Sequence, residues 1–328
     1  MSRWIALALA LIALMTVPWW VLNGYYVNIV SQILIYAILA LGLNVLVGYA
    51  GLVSLGHAGL FGVACYTVAW FVAAGWGHLA AALIALVMIV ATSAVFAVLS
   101  LRATGIGFLM ITLAIGQILW GLAYRWIDVT GGDNGINVPS RPAPFGLSLT
   151  FSRPFYFFVL VVFLVAVAAM AVFIRSPFGA SLKGTRDQPR RMTALGYNVW
   201  LIRFVAFLFS GFWSGVAGVL FCYYNQFVSP NVLALSSSAE ALLMVISGGT
   251  GTLLGPIAGA ALVVVMKNVA SAYIERWNLV LGAIFVAIVI FMPEGLVPGS
   301  VRLWRWSWSL LRRSRVEAAL RAGGGGGQ

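Results

Sequence analysis

Apolar residues in this chain run in long unbroken stretches, and polar residues collect between them. Strict alternation, the mark of half-buried strands, is absent, so the stretches read as helices. Segments near the roughly 20 residues that cross hydrocarbon predict helices at 5–22, 29–47, 51–74, 79–101, 107–124, 155–174, 201–221, 239–247, 253–273 and 278–291. The predicted fold class is all-α, a polytopic membrane protein of about 10 transmembrane helices. The segment at 239–247 is short for a crossing and holds Glu240 near its outer end.

Two polar islands interrupt the pattern. Residues 125–154 are dense in Gly, Pro, Asn and Asp, which predicts turns rather than helix, and a loop of this length favours a binding role. Residues 175–203 carry Arg175, Lys183, Arg186, Arg190, Arg191 and Arg203 against one acid, Asp187. Unpaired polar groups cost several kcal/mol in hydrocarbon, so this island faces water. The chain divides into a transmembrane domain, 1–300, and a basic tail, 301–328, whose terminal glycines suggest a flexible end.

Composition sharpens the picture. Charged residues make up 8% of the chain, against about 25% in soluble domains. The net charge of +12 raises the question of nucleic acid, but the basic residues flank apolar stretches, as the positive-inside rule demands. Threading the predicted spans places Arg3, Arg102, the 175–203 loop and the tail on one face, with both termini cytoplasmic and 125–154 outside. The N-terminal stretch has a basic start and an apolar run but no small-x-small cleavage site, and it ends in Pro18, Trp19 and Trp20. It reads as a first span rather than a signal peptide. Cys65 and Cys222 stand apart in apolar surroundings and read as buried small hydrophobes.

Glycines cluster twice, at Gly48, Gly51, Gly56 and Gly59 and again at Gly248, Gly251, Gly255 and Gly259. They permit close helix contact and breaks in a helix, and paired broken segments are what midplane pathways are built from. Gly211/Gly215, Ser214/Gly218 and Gly255/Gly259 form small-x-x-x-small faces. His57, beside Ser54, is either satisfied within the bundle or offers hydrogen bonds to a passing substrate; Glu240, after Ser238, is a functional candidate by its charge. Asn44, Gln117, Asn225 and Gln226 are weaker versions of the same signal.

Several chemistries are missing. No phosphate-binding G-x-x-x-x-G-K-[ST] occurs, and GASLKGT (179–185) has its Lys before the Gly. No nucleophile elbow, metal-binding His pair or carboxylate pair stands out, so neither an enzymatic centre nor a cofactor is expected. All seven acids lie at or beyond Asp128, which leaves the preceding spans without a carboxylate for proton relay. An energy source outside the chain is implied.

The strings LGLNVLVGYAGLVSLGHAGLFGVACYT, VTGGDNGI, SPFGASLKGTRDQPRRMTALGYN and FVSPNVLALSSSAEALLMVISGGTGTLLGPIAGA, with PEGL at 293–296, resemble the LivM branch of permeases in branched-chain amino-acid ABC importers. The resemblance covers about residues 40–296 and implies a half-channel. Its partners would be a sister permease of LivH type, two cytoplasmic ATPases and a periplasmic amino-acid-binding protein, in a bacterial inner membrane; nucleic acid is not among them. The substrate pathway would pass Asn44, Gly51, Ser54, Gly56, His57, Gly59, Ser238, Glu240, Gly248 and Gly251. ATPase contact would fall to Pro177, Phe178, Gly179, Arg186, Asp187, Ala194, Leu195 and Gly196, with a coupling helix starting at Pro189. Thr130, Gly131, Gly132 and Asp133 would meet the binding protein. This chain has Asp187, Gln188, Pro189, Arg190 and Arg191 where family members often have a Glu-rich stretch, which implies an acidic rim on the ATPase. The rival classes are an ATP-independent secondary transporter or channel, a family permease for urea or amides, and an intramembrane enzyme built on Ser54 and His57.

Overall fold

A computed structural model describes residues 24–142, 149–273 and 277–292, with a few further positions at 14–16, 18, 19, 295–297 and 299. Most of the expected first span, Arg3, the 301–328 tail, Pro293 and Glu294 of PEGL and part of the 125–154 loop lie outside the described residues.

The helices are α1 (Gly24–Asn44), α2 (His57–Ala73), α3 (His78–Ser100), α4 (Ile106–Arg125), α5 (Ser152–Arg175), α6 (Pro177–Asp187), α7 (Pro189–Ala194), α8 (Val199–Asn225), α9 (Leu235–Gly248), α10 (Gly255–Tyr273) and α11 (Trp277–Phe291). Among the described residues, five helices are long and apolar enough to cross a membrane: α1 with its extension to Ala50, α3, α4, α5 and α8. α2, α9 and α10 are shorter apolar helices.

Burial separates centre from rim. In the most apolar stretches of α1 and α8, 72% and 61% of residues are buried, against 28%, 22% and 28% in α3, α4 and α5. α1 and α8 pack on each other; α8 also packs on α2 and α3, and α1 on α5 and α10. A rim helix presents most of its apolar surface outward, as lipid contact requires. The predicted small faces account for the close central packing. A Cβ on Gly211 or Gly215 would meet Ser93 or Ile89 of α3, one on Gly218 the Phe61 carbonyl of α2, and one on Gly259 the Met244 carbonyl of α9.

One end of the bundle carries a two-stranded antiparallel ribbon, β1 (Ile136–Asn137) against β2 (Phe227–Val228). Arg141 fastens this end. Its Nε and Nη2 donate to the carbonyls of Tyr223 and Tyr224 at 3.0 Å each, and its guanidinium lies 4.7 Å from the centre of the Phe155 ring. The described part of the 125–154 island is therefore more structured than its turn-rich composition predicts, and also includes a helical turn at Ile127–Thr130. Arg102, after α3, and the 175–203 island fall at the opposite end, because α3 and α5 both run away from the ribbon.

Two expectations need correction. The span expected from residue 51 starts as a helix only at His57. The eighth span is α9, 14 residues or about 21 Å long, too short for a ~30 Å core. The preceding chain, which includes a 3-10 turn at Pro230–Leu233, also enters the bundle, where Leu233 packs on Gly62 in α2. Irregular backbone inside such a bundle is tolerated where protein covers it.

Candidate functional site

The sequence places four glycines between residues 48 and 59, and the helix there comes apart. α1 widens into a π-helical turn, Val45–Ala50. It then ends at Gly51 with φ +69°, a conformation that a residue with a Cβ adopts only at a cost of ~1–2 kcal/mol. Residues 51–56 are non-helical before α2 begins. π-helical turns inside membrane helices frequently mark functional positions.

Two sets of side chains hold this break. At its α2 edge lies His57, fully buried. Its Nε2 is 2.9 Å from Ser210 Oγ and its Nδ1 is 3.0 Å from Ser54 Oγ. Ser210 spends its one hydroxyl hydrogen on the Gly42 carbonyl (2.6 Å), so His57 Nε2 must donate and Nδ1 must accept from Ser54. The imidazole is neutral, with both nitrogens satisfied, and ties α1, the break and α8 together. Both ring nitrogens face serine hydroxyls, and among the described residues no carboxylate orients the ring as in a catalytic triad.

At the α1 edge, Asn44 reaches the second glycine cluster. Its Nδ2 donates to the Thr252 carbonyl (2.8 Å), and its Oδ1 accepts from Gly251 N–H (3.0 Å). Gly48 lies so close that a Cβ there would strike Gly251 N. The two glycine-rich stretches thus meet at Gly48 and Gly251. Other members of the sets point elsewhere: Gly56 and Gly59 pack α2 on α3 and α4 through Phe96, Thr112 and Gly116, and Gly248 packs α9 on Gly255 at the start of α10. Ser238, on α9, is buried and accepts from Ala58 N–H (3.1 Å), capping α2.

The 175–203 island folds into α6 and α7 and touches the break directly. Pro177 opens α6 at N1, with Ser176 Oγ accepting from Gly179 N–H (3.2 Å). Pro189 opens α7 at N1, as expected, but without a side-chain cap. GASLKGT is helix within α6. From α6, Arg186 donates through Nη1 to the Gly48 carbonyl (2.6 Å) and through Nε to Asp187 (2.8 Å), while its stem covers Gly51. Lys183 Nζ lies 5.4 Å from the centre of the Tyr49 ring.

The structure therefore splits the expected coupling residues. Phe178 packs on Phe173, with ring centres 5.1 Å apart. A Cβ on Gly179 would meet the Phe173 and Ile174 carbonyls, and Arg186 points to the break. These are seats for α6. Ala194, Leu195 and Gly196 are exposed, Leu195 by 64% and the neighbouring Tyr197 by 48%. At the ribbon end, Thr130 Oγ1 lies within 2.7 Å of the Ala123 and Trp126 carbonyls and accepts from Gly132 N–H. Thr130 and Gly132 are buried, Gly131 is half-buried, and Asp133 is exposed.

Glu240 has a partner that its own segment does not reveal. Lys267 of α10 places its Nζ 3.2 and 3.1 Å from the two carboxylate oxygens. A lone lysine inside an otherwise apolar span was the available signal, because a charge at membrane depth needs a partner. Cys65 and Cys222 are buried and free, and Cys65 Sγ donates to the Gly218 carbonyl (3.1 Å).

The family described as branched-chain amino acid transport system / permease component matches residues 25–289. The chain is similar to the high-affinity branched-chain amino acid transport system permease protein LivM of Escherichia coli K12, 32% identical over 299 residues, or 83% of this chain and 70% of the relative. It is also similar to the LivH permease protein of that organism, 22% identical over 286 residues, covering 80% of this chain and 91% of the relative. The autoinducer 2 import system permease protein LsrC of Photorhabdus laumondii is 30% identical over 138 residues, covering 39% of this chain and 41% of LsrC. No solved structure matches. A multi-pass bundle with a broken first central helix is thus also a family assignment: the chain belongs to the branched-chain amino acid transport system permease components.

Proposed function

We propose that this chain is one of two membrane halves of a binding-protein-dependent ABC importer that moves branched-chain amino acids inward by alternating access. A LivH-type sister permease would complete the pathway, two ATPases would bind the α6–α7 end in the cytoplasm, and a periplasmic binding protein would dock at the ribbon end near Asp133. The observation that carries the reading is the 2.6 Å hydrogen bond from Arg186 to the Gly48 carbonyl. It joins a water-facing helix pair to a discontinuity in a central helix, and such a joint is what an external motor needs.

The division of labour follows from exposure. α7 buries none of its residues, and Leu195 and Tyr197 beyond it leave apolar surface in water, where a partner's pocket would cover it. α6 buries Gly179, Leu182 and Thr185, so force on α7 passes into α6. Arg186 then moves the π-turn, and Asn44 carries the movement to Gly251 and Thr252. His57, with both nitrogens engaged, serves as the pivot of the break rather than as a substrate contact. Substrate passes on the α1–α9–α10 side, near Gly48, Gly251, Ser238 and Glu240.

The test is uptake of radiolabelled L-leucine into proteoliposomes holding this chain with its sister permease, both ATPases and the binding protein. Uptake must require ATP. Uptake that survives ATP removal and follows an ion gradient would make the protein a secondary transporter. ATP-driven uptake of urea or an amide in place of leucine would keep the importer and change its substrate.

A further inference from the structure

Among the described residues, Glu240 is the one carboxylate within an apolar helix, and Lys267 is the one lysine so placed. They face each other across α9 and α10, their side chains 15% and 34% exposed. A charge pair at membrane depth is a poor staple. Its desolvation cost rivals the attraction it gains, and an apolar pair of similar volume is often as stable or more so. Two opposite charges kept there call for a use.

Lys267 lines a cavity of about 170 Å³, bounded also by Tyr36, Phe61, Phe221, Asn231 and Ser237, and Glu240 stands behind it, one hydrogen bond from the Lys267 ammonium. Its lining has two characters. Phe61 and Phe221, with ring centres 5.1 Å apart, make an apolar wall, while Asn231, Ser237 and the Lys267 ammonium make a polar one. At ~30 Å³ per water in the liquid, it has room for about five or six waters, or for a small aliphatic amino acid. Ala58, in the first turn of α2, also lines it.

We propose that this cavity is a substrate subsite that reads a zwitterion, resting on the importer reading above. Lys267 leaves Glu240 to take the α-carboxylate, Glu240 takes the α-ammonium, and the aliphatic side chain lies against Phe61 and Phe221. The ion pair is the closed, empty form of the site. A substrate that brings one charge of each sign replaces both halves of the pair, so no charge is left unpaired at membrane depth. A molecule with only one of the two charges leaves a partner stranded, a loss that discriminates strongly between ligands.

The experiment uses the complete reconstituted complex and two double variants. E240Q/K267M removes both charges at nearly constant volume; E240K/K267E keeps a pair with its signs exchanged. Both are expected to match the wild-type melting temperature within a few degrees and to keep ATP turnover stimulated by leucine-loaded binding protein. Both are expected to take up L-leucine at least tenfold more slowly. Uptake within twofold of wild type in either variant would make the pair a structural staple and overturn the proposal. Loss of stimulated ATP turnover together with uptake would assign the pair to coupling, and overturns it equally. Absence of ATP-dependent uptake by the wild-type complex is a different failure, that of the importer reading itself.

Discussion

The two helices of the 175–203 island share a composition and differ in almost everything else. Each begins with Pro at N1, and each carries basic residues. Yet α6 buries Gly179, Leu182 and Thr185, while α7 buries nothing. α6 grips the bundle at both ends, through Phe178 and Gly179 on the last turn of α5 and through Arg186 on the π-turn of α1. α7 is held chiefly by its junction with α6, where Met192 lies over Gly184, and ends in the exposed Leu195 and Tyr197. Positive charge alone does not separate a topogenic cluster from a mechanical part. The separation lies in which half is anchored in the bundle and which half is left exposed.

Substitutions sharpen that contrast, and they rank by expected effect on stability. Gly179→Val forces a branched side chain against the Phe173 and Ile174 carbonyls. Overpacking of this kind costs ~1–3 kcal/mol, and the thermal melting point of the purified permease should fall by several degrees. Arg186→Met keeps the stem over Gly51 and deletes the hydrogen bond to Gly48. Bonds to charged donors contribute ~1.5–3 kcal/mol. The Arg186 side chain is 40% exposed, so solvent screening brings the expected loss to about 1 kcal/mol. Lys183→Ala removes a cation–aromatic contact with Tyr49 at 5.4 Å, worth ~0.5–1 kcal/mol at an exposed site. Leu195→Ser should leave stability within ~0.5 kcal/mol, as surface changes do. It should nonetheless lower ATP-driven leucine uptake at least tenfold, because it removes the apolar tip that a partner would cover. If Leu195→Ser destabilised the isolated protein as much as Gly179→Val, α7 would be part of the packed bundle and the contrast would collapse.

Much of this was legible in the sequence, and the reasons for the rest are physical. Unbroken apolar runs announced the helices, because hydrocarbon leaves the backbone few other solutions. The start of α7 at Pro189 and the close packing at Gly211, Gly215, Gly218 and Gly259 could be read from local chemistry. The position of the break could not. Gly51 to Gly59 suits a tight helix contact as well as a discontinuity, and Gly59 indeed makes the former while Gly51 makes the latter. What decides between them is Arg186, which reaches Gly48 from 138 residues away, and the bond from Asn44 to Thr252, 208 residues on, and periodicity carries no such information. The pairing of Glu240 with Lys267 was hidden for the same reason. The descent of residues 227–234 was hidden too, because their turn chemistry gives no sign that the chain re-enters the bundle.

In the mechanism proposed above, Arg186 transmits movement of the α6–α7 pair to the broken helix. The most direct test measures leucine uptake and ATP hydrolysis together in reconstituted Arg186→Met. The proposed ATPase contact through α7 is left in place in that variant, so ATP turnover should stay near the wild-type rate, while leucine taken up per ATP falls at least tenfold. A wild-type ratio of uptake to hydrolysis would contradict the claim and reduce the Arg186–Gly48 contact to simple anchoring.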